Sequence, residues 1–413
     1  MNPALRDGGD WLELPAPGSF LRSTMFSSRL PGNLRPNRLS ERLAAKRRSG
    51  AAILDLTESN PTQAGFAYPT QAILQALADA RSLRYEPSPA GLPEAREAVA
   101  DYYAARGQTV EPERILLTSS TSEAYSYLFK LLADPGDEVL VPRPSYPLFA
   151  FLAALESLRI VPYPLVYHGA WALDWDALAR AVTPRTRAIV LVNPNNPTGS
   201  FLKKDERKEV IRLCAERNLA LLSDEVFADY CFKPDARRVA SLADVEEVPT
   251  FCLSGLSKVA GLPQMKVGWM VLAGPAPERA AVRERLELIA DTYLSVGTPV
   301  QHALPQLLAL GTSVREQIAA RVQENLASLR SAVEGTACCA LDVEGGWYAI
   351  LKLPRTRSEE DWCLELLDQD SVLVQPGFFY DFDSEAFLVA SLLPPPDTFR
   401  EGIRRLLARV SLH

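Results

Sequence analysis

Short apolar runs alternate with helical patterns from about residue 65 to residue 300. Ile115 to Thr118, Glu138 to Val141, Ala188 to Val192, Ala220 to Ser223 and Phe251 to Ser254 are short apolar runs of strand length. Helical spacing fills the gaps between them. Thr121 to Ala133 places Ala124, Leu128, Leu131 and Leu132 on one face, with Ser and Glu at its start to suit the positive end of the helix dipole. This alternation predicts βα units and an α/β fold whose large domain is built on a mostly parallel sheet. Beyond residue 300 the pattern becomes a long amphipathic stretch (Val314 to Val333), strand-like segments at Gly346 to Leu353 and Ser371 to Val374, and a closing helix from Asp397 to Val410. These predict a smaller α+β domain. The division expected is 1–50 as an N-terminal arm and first helix packing with the small domain, 51–300 as the large domain and 301–413 as the small one.

Almost every predicted strand runs directly into a polar or glycine-containing turn: TSSTSE (118–123), RPSY (143–146), NPNNPTG (193–199), SDEVF (223–227) and SGLSK (254–258). Ligands of open α/β sheets bind beyond the carboxyl ends of the strands, so these turns converge on one site. Ser119, Ser120 and Thr121 open a helix whose free N–H groups suit a phosphate. Ser257 and Lys266 are placed to add bonds to the same phosphate. Asp224, ending a buried strand, needs a cation, and a protonated pyridine nitrogen is one. Asn196 offers an amide donor, Tyr146 a flat face for a ring, and Lys258 an amine able to form a Schiff base.

With those residues in place, the chain resembles the fold-type I pyridoxal-phosphate aminotransferases of class I/II. The resemblance is carried by Asn196-Pro197-Thr198-Gly199, Asp224-Glu225, and Ser257-Lys258 followed by Gly261-Leu262-Pro263 and Gly268-Trp269. It extends over roughly residues 50 to 410. Each short motif is weak alone, and their order and spacing together are specific. The resemblance implies that Lys258 bonds the cofactor and shuttles a proton, that Asp224 faces the pyridine nitrogen, that Asn196 donates to the ring oxygen and that Tyr146 stacks on the ring. It also implies a homodimer with active sites at the subunit interface. Tyr85, with Gly91 and Ala95-Arg96, resembles the segment whose tyrosine reaches the phosphate of the neighbouring subunit.

Three positions depart from the family pattern. Phe227 stands where a tyrosine three residues after the aspartate usually gives a hydrogen bond to the cofactor's ring oxygen. Loss of that donor disfavours the deprotonated form of the bound cofactor and raises its pKa. Lys266 stands where the family usually carries an arginine or lysine of the phosphate cup, and keeps the charge but loses the bidentate fork. Val389, in FLVASLLPPPD (387–397), stands where the arginine for the substrate's α-carboxylate is expected. Either the carboxylate is held differently, or another cation such as Arg35 or Arg38 substitutes, or the reaction is not ordinary α-amino-acid transamination. Side chains around Asn60, Tyr293 and Phe379 are expected to shape the substrate site.

Charge and composition narrow the partners. A formal charge of −7 without a long basic run argues against nucleic acid, and Lys46-Arg47-Arg48 reads as a solvated helix face. Six cysteines without CxxC spacing read as reduced thiols of a cytoplasmic protein. The N-terminus has no secretory pattern, and no apolar run is long enough to span a membrane. His168, His302 and His413 lack metal-ligand spacing, which leaves acid–base work to a lysine, a tyrosine or a carboxylate. Plainer roles exist for each candidate: Lys258 and Lys266 as surface lysines, Asp224 as a cap, Asn196 to Gly199 as a turn, Tyr146 as packing. Taken together, the residues favour an aminotransferase moving an amino group between an L-amino acid and a 2-oxo acid. The alternatives are a pyridoxal-phosphate lyase or decarboxylase on the same fold, or a non-catalytic binding protein that retains it.

Overall fold

The computed structural model of the chain describes residue 25, residues 27–30 and residues 36–413. After a short β1 (Leu54–Asp55), eight strands make the large sheet: β2 (Ile115–Thr118), β3 (Glu138–Arg143), β4 (Arg159–Tyr167), β5 (Trp171–Leu173), β6 (Thr186–Val192), β7 (Ala220–Asp224), β8 (Thr250–Gly255) and β9 (Gly268–Ala273). They lie in the order β2-β9-β8-β7-β6-β3-β4-β5. From β8 to β4 every pairing is parallel, whereas β9 runs against both of its neighbours and β5 folds back along β4.

Successive side chains leave a strand on opposite faces, and both faces are covered. Ile115 and Leu117 join one core with Val99, Val210 and Leu304, while Leu116 joins another with Leu128, Phe251 and Leu286. That double burial explains why the central strands read as continuous apolar runs. All five strands expected from the sequence are present, Ile115–Thr118 with the expected bounds and the other four extended by a residue or two. The expectation did not include β4 or β9. Pro162 and Pro164 and a half-exposed surface blur the pattern of β4, and β9 is an apolar run close behind the glycine- and proline-containing turn at 261–263.

The second sheet is small and antiparallel. It comprises β10 (Cys339–Ala340), β11 (Tyr348–Lys352), β13 (Gln375–Pro376) and β14 (Phe387–Ser391), in the order β10-β11-β14-β13, while β12 (Val372–Leu373) pairs with β1. A helix from Thr298 to Val333 serves both bodies: Leu304 and Leu307 enter the large-sheet core, and Val322, Leu326 and Leu329 enter the small-sheet core. Its helical run begins well before the expected Val314 and crosses residue 300, with Pro305 inside it. Proline removes one ladder bond, and burial of the surrounding face outweighs that cost. The described part of the N-terminal segment includes a helix, Arg38–Arg48, whose Leu39 and Leu43 join the small-sheet core.

Candidate functional site

The carboxyl ends of β7 and β8 are adjacent because Asp224 and Leu253 are register partners. Asp224 is the last residue of β7 and nearly inaccessible at 9% exposure. Burial pushes its carboxyl up to about 6, against the pull of hydrogen bonds from the Val226 N–H at 3.2 Å and the Tyr125 hydroxyl at 3.1 Å. A carboxylate in this state gains by meeting a fixed cation. After β8 the chain makes one helical turn, Leu256–Val259, which turns Lys258 back toward the strand ends. Burial lowers the Lys258 ammonium to about 8, and the charge of Asp224 opposes that fall. An amine so placed is available as a neutral base near neutral pH.

A second group lies at the start of the helix Thr121–Leu132. The Ser120 hydroxyl accepts the Glu123 N–H at 3.2 Å, and the Glu123 carboxylate accepts the Ser119 N–H at 2.6 Å. The N–H groups of Thr121 and Ser122 lie in the first turn, beyond the reach of intrahelical partners, and at this helix end an anion is favoured. Thr118 pairs with Gly268, and a Cβ on Gly268 would meet the carbonyl carbon of Ser120 at 2.9 Å and the Thr121 nitrogen at 3.1 Å. The missing side chain thus lets the start of β9 press against this helix end, with Lys266 two residues away. Lys266 is exposed, and neither its side chain nor that of half-buried Ser257 has a partner within the described residues.

Between these groups, the turn after β6 presents Asn196. Its side-chain amide is buried, at 7% exposure, and its Oδ1 has no partner among the described residues. Its neighbours are committed, since Asn195 donates to the Pro144 carbonyl and the Thr198 hydroxyl, and Asn193 to the Val239 carbonyl. Gly199, at φ +66°, closes the turn, and a Cβ there would strike the Gly345 carbonyl at 2.4 Å. Tyr146 is half-buried in the loop after β3, and burial followed by the charge of Asp224 raises its hydroxyl pKa. Asp224 is thus close enough to both Lys258 and Tyr146 for its charge to act on each. Tyr85 stands apart from it, 76% exposed, in a cavity it lines with Tyr127 and Ser295.

The structure brings in residues that the sequence did not mark. Tyr125 lies one helical turn beyond Thr121, so the Asp224 contact was implicit in the helix register. Tyr230 donates its hydroxyl to the Lys258 carbonyl at 2.6 Å. Trp347 and Tyr348 arrive from β11 and its approach, a long-range meeting with no local signal. Lys258 Nζ lies 4.6 Å from the centre of the Trp347 ring and 5.5 Å from that of Phe227.

The residues considered for the substrate side are placed as follows. Val389 is fully buried in β14 between Ile350 and Gln375, and Leu388 beside it is also buried. Arg38 is exposed and ion-paired with Glu360 at 2.7 Å, and Arg35 lies outside the described residues. Asn60 spends its Oδ1 on the N–H and hydroxyl of Thr62, Tyr293 stacks on Tyr127 at 5.5 Å, and Phe379 packs against Phe378.

These residues fit a phosphorylated pyridine aldehyde: an amine, a buried carboxylate in need of a cation, an orphaned amide and a free helix end. Comparison with known proteins agrees. The profile of the family described as "Aminotransferase class I and II" matches residues 51–405. The chain is 30% identical over 361 residues to the glutamate-pyruvate aminotransferase AlaA of Escherichia coli, covering 85% of this chain and 86% of that one. It is 28% identical over 370 residues to an alanine aminotransferase of Mycobacterium tuberculosis, covering 86% and 85%. A crystal structure of an Escherichia coli aminotransferase superimposes with a TM-score of 0.83 at 27% identity, over 94% of this chain and 98% of that one.

Proposed function

The chain belongs to the class I and II aminotransferases, and from that premise we propose which of its residues run the reaction and on what substrate. It is an enzyme that uses pyridoxal 5′-phosphate to move an amino group between an amino acid and a 2-oxo acid. In the proposed site Lys258 bonds the cofactor, Asp224 faces its pyridine nitrogen and Asn196 donates to its ring oxygen. Tyr146 covers the ring. Ser119, Ser120, Thr121, Ser257 and Lys266 surround the phosphate, together with Tyr85 of a neighbouring subunit. The observation that carries this assignment is the placement of the buried Asp224 at the end of β7 beside the turn after β8 that bears Lys258, near enough for each charge to act on the other.

The cofactor, when bound, supplies the electron sink for the substrate's α-carbon. Asp224 keeps the ring nitrogen protonated, because an ionised buried carboxylate is most stable beside a fixed positive charge. Lys258, freed by the incoming amine, takes a proton at Nζ and returns it elsewhere on the same ligand, and its lowered pKa makes both directions accessible. Tyr125 steadies Asp224, and Tyr230 anchors the Lys258 backbone.

The relatives' names make glutamate with pyruvate, and alanine with a 2-oxo acid, the first pairs to test. The full burial of Val389 in β14 supports a carboxylate partner elsewhere in the site. We further propose a cytoplasmic homodimer divided near residues 50 and 300. The protruding Leu83 and Tyr85 suit a subunit contact, and the six cysteines are unpaired. No helix among the described residues is long and apolar enough to cross a membrane.

A visible absorption spectrum tests the assignment. The wild-type protein should show a cofactor band that alanine or glutamate bleaches toward the amine form, and Lys258→Ala should lack the lysine-bonded band. A band unchanged in Lys258→Ala would assign the cofactor to another residue. A band that no amino acid alters would overturn the proposed substrates.

A further inference from the structure

The amine of Lys258 rests on aromatic rings: Nζ lies 4.6 Å from the centre of Trp347 and 5.5 Å from that of Phe227. Both rings are held. Phe227 packs edge-on to Trp347 at 5.3 Å, and Tyr230 does the same from another direction at 5.1 Å. Tyr230 also holds the other end of the lysine, through the bond to the Lys258 carbonyl. Trp347 is fully buried, its main-chain carbonyl accepts the Leu392 N–H at 2.7 Å, and the preceding Gly346 N–H bonds the Tyr230 carbonyl at 2.8 Å. Lysine, clamp and indole thus form one unit, built from the turn after β8, the segment after β7 and the approach to β11.

A desolvated ammonium over an indole face is among the stronger cation–π arrangements. We propose that the Trp347 ring, with Phe227 beside it, is the seat that holds Lys258 as an ammonium ion whenever the lysine is not bonded to the cofactor. Trp347 thereby sets how readily that lysine gives up its proton, and is a positioning residue acting through Lys258. The proposal rests on the reading of Lys258 as the cofactor lysine.

Other groups near the lysine make the sign of the effect informative. Asp224 from β7 favours the ammonium, and burial opposes it. Tyr146 contributes a hydroxyl held neutral by burial and by the charge of Asp224, and Tyr348 one held neutral by burial. On the far side, Arg315 of the long helix is committed to the Val259 carbonyl and lies 4.0 Å from Asp229. If Trp347 merely excluded water, shortening it would hydrate the amine and raise its pKa. If its face stabilises the cation, shortening it lowers the pKa.

The test uses the holoenzyme in two forms, as prepared and after conversion to the amine form of the cofactor with excess amino donor. Lys258 is labelled with acetic anhydride over a range of pH and read by peptide mass spectrometry. The neutral Nζ attacks the anhydride carbonyl, the new N–C bond forms, acetate leaves and the amine proton passes to solvent. Lys258 should be blocked as prepared and open in the amine form. In the amine form of Trp347→Leu the labelling midpoint should fall by about one pH unit. Trp347→Phe, which keeps a weaker ring face, should show a smaller fall, and it carries the test by itself if Trp347→Leu does not fold. A midpoint that rises or stays put in the folded variants overturns the seat. Equal labelling of Lys258 in both cofactor forms overturns instead the assignment of the lysine.

Discussion

The two walls of the proposed site are built on different principles. The floor is made by the ends of β3, β6, β7 and β8, parallel strands whose turns expose polar groups at fixed places. The roof is made by β11, β14 and the segment between them, antiparallel strands that offer Trp347 and Tyr348 and, at 389, only a buried valine. The floor carries the features expected of the family and the roof departs from them. On the proposed assignment, cofactor binding and substrate selection draw on different walls, and changes to one wall should leave a recognisable signature of the other.

The largest effects should come from the floor. Lys258→Ala should reduce transamination by roughly 10²–10⁴-fold, the usual range for losing a positioned proton carrier, while single-turnover assays still show cofactor bound. Asp224→Asn removes the buried charge and should cost about 3 kcal/mol in the reaction barrier, or roughly a hundredfold in kcat. Its pH behaviour sharpens the point. Burial holds the carboxyl up at about 6 even with the charge of Lys258 nearby, and a protonated pyridine nitrogen favours its ionised form. Cofactor affinity should therefore be full above that value and fall as pH drops through it. Fluorescence titration of the apoprotein at several pH values measures this, and Asp224→Asn should flatten the profile.

A mutation in the roof should act on stability before it acts on binding. Val389→Arg would place a guanidinium in a fully buried strand position between Ile350 and Gln375. It should lose about 3 kcal/mol or more in a denaturant titration and leave the KM for amino acids no lower. A folded Val389→Arg variant with a much lower KM would show that the two walls are less different than their burial implies.

The same contrast governs what the sequence made legible. The floor was readable because parallel strands and their turns are contiguous in the chain: Asp224 must fall at the end of β7, and Lys258 just beyond β8. Two of its supports were hidden, since Tyr125 required the helix register and Tyr230 required the path of the chain after Phe227. The roof was nearly silent. Trp347 meets Lys258 across 89 positions of sequence, and no local pattern announces that an indole after two glycines lies over a distant amine. The extent of the long helix was obscured by Pro305, because local propensity registers the lost hydrogen bond and not the two cores that the helix joins.

Phe227 lies on the border between the two walls and gives the smallest and most discriminating prediction. It belongs to the floor by sequence, three residues after Asp224, but its ring packs with the roof, edge-on to Trp347 and to Tyr348 at 6.3 Å. Phe227→Tyr adds one hydroxyl at a position 4% exposed. Where that hydroxyl reaches the cofactor's ring oxygen, it stabilises the oxygen's anionic form and lowers the pKa of the bound cofactor. The midpoint of a visible-absorption titration should then fall by about one unit, the scale of a single charge-assisted hydrogen bond. A midpoint unmoved by Phe227→Tyr would mean that the added hydroxyl has turned toward the roof, and Phe227 would then be better described as part of the aromatic wall that faces the lysine.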